Sequence, residues 1–211
     1  IRDVLEILVR HGAPADILVD ARPHIGSNRL PKVITAVREH LESVGVGFRF
    51  DARVERLLLQ GESKRRRVVG VELANGERLE AEAVVLATGH SARGVWHMLL
   101  AQGAELEAKP FALGVRVEHP QALINRLQYG SLADRPELPN AAYRVTTQVE
   151  GRGVFSFCMC PGGFVVPAST EGTGLVVNGM SLSRRDSPFA NSGFVVSVEL
   201  EDLAKAGLHG A

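Results

Sequence analysis

Ala83-Val84-Val85-Leu86-Ala87-Thr88-Gly89-His90 decides how the chain is read. Five apolar residues in a row fit a strand covered on both faces, since a strand with one wet face alternates apolar and polar side chains. The run therefore predicts a strand entering a central, parallel sheet. Its end, Ala87-Thr88-Gly89, is a turn of small residues where ligand atoms can approach the backbone closely. A dinucleotide suits such a turn, although many strands in mixed folds end in small residues.

Upstream of this run, Val4, Leu5, Leu8 and Val9 share one helical face that Gly12 and Pro14 close. Ile17-Leu18-Val19 predicts a short strand, and Ala21 to Asn28 a polar loop. Leu30, Val33, Ile34, Val37, Leu41 and Val44 recur at spacings of three and four, with Pro31 in the first turn and Gly45 at the end, which predicts a helix over 30–44. Extended segments are predicted at 48–59, 67–74 and 78–87, the last two joined by Asn75-Gly76, a strong hairpin signal. Downstream, Val95, Trp96, Leu99 and Leu100 predict a helix over 92–102 that buries Trp96 and stops at Gly103. Short β segments follow at 111–118, 142–149, 153–158, 163–167 and 174–179, with a helix starting near Pro120. This change of pattern divides the chain into 1–91 and 92–211.

The 211 residues carry 24 Lys plus Arg against 24 Asp plus Glu, so no net field recruits nucleic acid or an anionic membrane. No apolar run approaches the roughly 20 residues of a bilayer span, and the first residues lack a signal-peptide layout. These features predict a cytoplasmic protein with neither nucleic acid nor membrane as partner. Lys64-Arg65-Arg66-Arg67 lies between two predicted strands and reads as a solvated hairpin tip, with nucleic-acid binding the alternative. The opening, without Met, predicts a piece of a longer protein.

Cys158 and Cys160 are the two cysteines. They could be catalytic as a redox pair, or they could pack; a disulfide across one residue is strained. No second pair of ligands suggests zinc. Gly162 and Gly163 allow either an ordinary turn or close approach of a flat ligand. Arg116, Glu118 and His119 could bind an anion or move protons, but their alternation fits a polar strand face.

Longer words add a resemblance: Lys109-Pro110-Phe111-Ala112-Leu113-Gly114-Val115-Arg116-Val117-Glu118-His119-Pro120, Ser156-Phe157-Cys158-Met159-Cys160-Pro161-Gly162-Gly163, Val177-Asn178-Gly179-Met180-Ser181 and Arg185-Asp186-Ser187. With Pro23-His24-Ile25-Gly26 and Gly89-His90-Ser91-Ala92-Arg93, they resemble a bacterial family of FAD-dependent, supposedly NAD-utilising dehydrogenases built on the two-dinucleotide-binding fold. The resemblance implies an α/β to α+β chain: a partial Rossmann-like FAD domain with a three-stranded β-meander over 1–91, then a β-rich central domain on the substrate side over 92–211. It implies FAD contacts at Val54, Ala87, Thr88 and Gly89, with His24, Gly26, Asn28, Gly162 and Gly163 as further cofactor candidates. The loop holding His24, Gly26 and Asn28 could equally cap the following helix.

The resemblance also implies hydride transfer from NAD(P)H or a reduced small-molecule substrate, in a site completed by the remaining parts of the same flavoprotein. The Gly-x-Gly-x-x-Gly turn of such folds is absent, and Gly45-Val46-Gly47 does not replace it, so the chain alone should bind FAD weakly or not at all. The alternative from another class is a non-catalytic binding or assembly module that retains this architecture.

Overall fold

Side-chain spacing sets the helices, and cross-strand pairing sets the rest. A computed structural model describes residues 1–62, 66–89, 91–169 and 174–207. Its contacts divide the chain into two units, one of residues 47–108 and one of residues 1–46 with 109–209. The break at 108/109 lies downstream of the change of sequence pattern at 91/92. The break at 46/47 has no counterpart in a division at 91/92.

The 47–108 unit is built on an antiparallel meander of β1 (Val54–Gln60), β2 (Arg67–Leu73) and β3 (Arg78–Glu80). The β2–β3 turn follows from Asn75-Gly76: Gly76 has φ +85°, and the Asn75 Oδ1 accepts from the Glu77 N–H at 3.0 Å. Gly70 lies where β2 and β3 approach so closely that any Cβ would strike the Leu79 carbonyl. A helix spans Arg93–Ala101 in the same unit. Gln102, just past its end, docks on β1 as a neighbouring strand would: its Nε2 donates to the Leu57 carbonyl at 2.8 Å and its Oε1 accepts from the Leu57 N–H at 3.0 Å. The amide thereby satisfies part of an otherwise open sheet edge.

Three expectations fail in this unit. Residues 83–89 form no strand, and Val85 is 87% exposed. A doubly covered strand needs a neighbour on each side, and the described residues supply none to it. The strand pairings of the described residues are antiparallel throughout, so the arrangement is α+β and the Rossmann-like parallel sheet does not appear. Trp96, expected in a helix core, is half exposed. His90 and the Lys64-Arg65 part of the basic run lie outside the described residues.

The other unit opens with helices Arg2–Arg10 and Leu30–Ser43, bracketing a small core of Ala13, Ile17 and Val33 against which Leu5, Leu8, Val9 and Ile25 pack. Ile17-Leu18-Val19 is not a strand. Ala15–Leu18 forms a 3-10 turn that buries Ile17 between the helices and leaves Val19 exposed, because a short apolar run without a sheet partner gains more by inserting one side chain into the helix pair.

The main sheet of this unit is antiparallel in the order β4-β9-β6-β5, with β4 Phe111–Pro120, β5 Thr146–Val149, β6 Arg152–Cys160 and β9 Phe189–Val198. A hairpin of β7 (Gly163–Pro167) and β8 (Val177–Ser181) packs on it. Helix Gln121–Tyr129 follows β4 directly and places Ile124 in a second core with Ala141 and Ala190. Gln121 is buried and fully used: its Nε2 donates to the Ala141 carbonyl at 3.0 Å, and its Oε1 accepts from the Gly162 N–H at 2.8 Å. A short helix, Leu200–Lys205, closes the described chain with a reciprocal cap between Glu199 and Asp202.

Candidate functional site

Two groups of candidate residues emerge, one in each unit. In the 47–108 unit, Val54 starts β1 and lines a cleft of about 600 Å³ together with Arg53, Arg56, Val95 and Met98. Ala92 lines the same cleft and stands three residues past Gly89, a chain distance of at most about 11 Å. Ala87, Thr88 and Gly89 are exposed. Gly89 has φ +74°, and a Cβ added there would meet nothing within 4 Å. The glycine therefore answers to backbone conformation and open access, not to packing.

The other candidates converge in the second unit, although they lie far apart in sequence. His24 Nε2 donates to the Leu182 carbonyl at 3.0 Å; Asn28 Oδ1 accepts from the Ser183 N–H at 2.9 Å, and its Nδ2 donates to Ser183 Oγ at 3.3 Å. Gly26, at φ +95°, touches the Ser183 backbone so closely that a Cβ would collide with it. The loop thus clasps the end of β8. Gly163 faces the same place, where an added Cβ would stand 3.1 Å from the Cβ atoms of both Cys160 and Ser181. Gly162, at φ +54°, abuts the Arg185 carbonyl.

Cys158 and Cys160 sit at a β-bulge. Phe157 pairs with Gly193 and Cys160 with Asn191, so Cys158 and Met159 together oppose Ser192. Cys158 takes φ +46°, rare for a residue with a side chain. Both thiols are free; Cys158 is exposed and Cys160 half-buried. Burial pushes the Cys160 thiol up, while the nearby Arg116 guanidinium works against that rise.

Arg116 is not on a simple polar face. Its Nη1 donates to Asn191 Oδ1 at 2.6 Å and to the Cys158 carbonyl at 3.0 Å. Glu118 accepts from the Val165 N–H at 3.4 Å, tying β4 to the hairpin. His119 Nε2 lies 2.7 Å from the Tyr143 hydroxyl, whose phenol burial pushes up. Asn191 carried no signal of its own in the sequence and joins through the β6–β9 pairing, whereas Arg185 entered only within the word Arg185-Asp186-Ser187 and joins through its carbonyl, which abuts Gly162 and accepts from Asn140 Nδ2. Among the described residues no group of three or more His, Cys, Asp or Glu could hold a metal ion, and no helix is long and apolar enough to cross a membrane.

Residues 110–211 match the family described as FAD-dependent protein, C-terminal domain-like. Over 202 residues, 95% of this chain, the sequence is 44% identical to an uncharacterized protein of Clostridium beijerinckii. The chain spans 37% of the length of that relative. The family match supports a FAD-dependent, flavoprotein-related region in the second unit, and the partial span is consistent with a piece of a longer protein.

Proposed function

We propose that this chain is part of a FAD-dependent oxidoreductase that accepts hydride from NAD(P)H or from a reduced small-molecule substrate. The observation that carries the reading is the exposed run Ala83–Ala87 followed by the open turn at Gly89. An apolar strand sequence left bare and ending in small residues suits a sheet edge completed by the remaining parts of the same flavoprotein. Support for the cofactor class comes from the family match, which covers the later residues 110–211.

The residues present fit a dinucleotide in chemical character. Ala87, Thr88 and Gly89 leave backbone approachable, and the Val54 cleft offers an apolar wall beside the guanidinium groups of Arg53 and Arg56. Val54, Ala87, Thr88 and Gly89 would hold the adenosine-pyrophosphate end of FAD, while Arg53 and Arg56 are already paired with Glu55 and Glu72. When bound, the flavin ring supplies two-electron chemistry; the protein positions it and excludes water. Within the second unit the further cofactor candidates His24, Gly26, Asn28 and Gly163 gather around Ser181 to Ser183, and Gly162 abuts Arg185.

The test uses the longer protein. Purified, it should carry flavin absorbance near one equivalent, and NADH or NADPH should bleach it. A colourless protein that FAD does not reconstitute would overturn the proposal and leave a binding or assembly module as the reading.

A further inference from the structure

Around Cys160 the second unit gathers hydrogen-bond donors without matching acceptors. Asn191 is 0% exposed; its Oδ1 accepts from Arg116, but its Nδ2 has no partner. Arg185 Nε is likewise buried without a partner. Neither Arg116 nor Arg185 forms an ion pair with a carboxylate among the described residues. Native proteins satisfy nearly all buried donors, so the Asn191 Nδ2 and Arg185 Nε call for an acceptor.

The groups share one location. Cys160 and Asn191 are cross-strand partners on β6 and β9. Arg116 Nη1 and Cys160 Sγ both approach the Cys158 carbonyl, at 3.0 and 3.5 Å. The Arg185 backbone abuts Gly162, two residues past Cys160; burial pushes the Arg185 guanidinium down, and the Cys160 thiol, more than Asp20, works against that fall. Gly179 of β8 closes over the Arg116 guanidinium and Asn191 Oδ1, where any side chain would collide with both. The backbone of the cluster is held in costly conformations: Cys158 and Arg185 are two of the four non-glycine residues at positive φ among the described residues.

We infer that Arg116, Arg185 and Asn191 form an anion site beside the Cys160 thiol, shaped for the carboxylate of a small molecule. A planar guanidinium matches a carboxylate edge on, and the Asn191 amide adds a neutral donor behind it. The site lies within one unit and stands whether or not the FAD proposal holds.

Cys160 itself reports on the site. In the whole chain carrying Cys158→Ser, iodoacetate and iodoacetamide each alkylate Cys160: the thiolate sulfur bonds to the methylene carbon and iodide leaves. The two reagents differ in that one bears a carboxylate and the other a neutral amide. Rates are followed by mass at constant ionic strength, in buffer and in urea. The iodoacetate-to-iodoacetamide ratio should be at least fivefold higher in buffer than in urea, and acetate should compete against iodoacetate alone. Arg116→Gln and Arg185→Gln should each bring the ratio toward its urea value; loss of a guanidinium near the thiol lowers the thiolate fraction and slows both reagents alike, so that effect cancels in the ratio. A ratio equal in buffer and urea, or unmoved by both substitutions, overturns the inference. So does a Cys160 that resists both reagents, because a carboxylate of that size could not then reach the thiol.

Discussion

Strand β9 and the run Ala83–Gly89 reverse the usual expectation for polar and apolar sequence. Ala190-Asn191-Ser192-Gly193 in β9 is small and polar, yet it is fully buried, flanked by β4 on one side and β6 on the other. Val84-Val85-Leu86 is strongly apolar, yet mostly exposed. Burial follows the supply of partners, not hydropathy alone. Asn191 Oδ1 accepts from Arg116 and Ser192 Oγ donates to the Phe157 carbonyl at 3.3 Å, so these polar groups are met in the interior, with the Asn191 Nδ2 as the exception. The apolar run has a pattern suited to a central strand and no strand beside it among the described residues.

The largest expected effect tests the polar side of this contrast. Asn191→Ala removes the acceptor that Arg116 uses at 2.6 Å and leaves a gap between three strands, so the second unit should lose about 2 kcal/mol in urea unfolding. If Asn191 were polar by accident, the loss would stay within about 0.5 kcal/mol, as at ordinary surface positions.

The apolar side predicts a difference between contexts. Val85→Asp should change the unfolding of this chain by no more than about 0.5 kcal/mol, because Val85 is already 87% exposed. In the longer protein the same substitution should lower flavin content, since a carboxylate would enter a strand covered on both faces. Equal, small effects in both would show that the run stays bare and would break the contrast.

How far the sequence could be read follows the same division. Helices 2–10, 30–43, 93–101 and 121–129 were legible because their apolar spacing and their Pro and Gly punctuation are local. The meander was legible through Asn75-Gly76. Strand β9 escaped notice because Ala190 to Gly193 has no apolar period; the signal that could have found it is Phe194-Val195-Val196-Ser197-Val198 just beyond. Asn191, Leu182 and Ser183 escaped, and Ser181 and Arg185 entered only within longer words, for a related reason: what gathers them around Cys160 and His24 is pairing between residues up to 158 positions apart.

The smallest effect concerns the exit of β9, where order rests on charge near solvent. Arg152 of β6 holds Asp202 through two contacts of 2.5 Å and donates to the Ser197 carbonyl at 3.3 Å, joining β6, β9 and the last helix. The Arg152 guanidinium, and secondarily the Glu199 N–H, hold the Asp202 carboxyl well below the usual carboxylate range. A carboxyl depressed on folding stabilises the folded state above its unfolded value, near pH 4, and that contribution fades as pH falls toward the folded value. Asp202→Asn should therefore lower the melting temperature slightly between pH 5 and pH 7, on the order of a surface ion pair's effect. The gap between parent and variant should close as pH drops below about 4. A gap that persists unchanged into acid would mean that Asp202 acts as a neutral cap, and that the end of β9, like its middle, is held by uncharged hydrogen bonds.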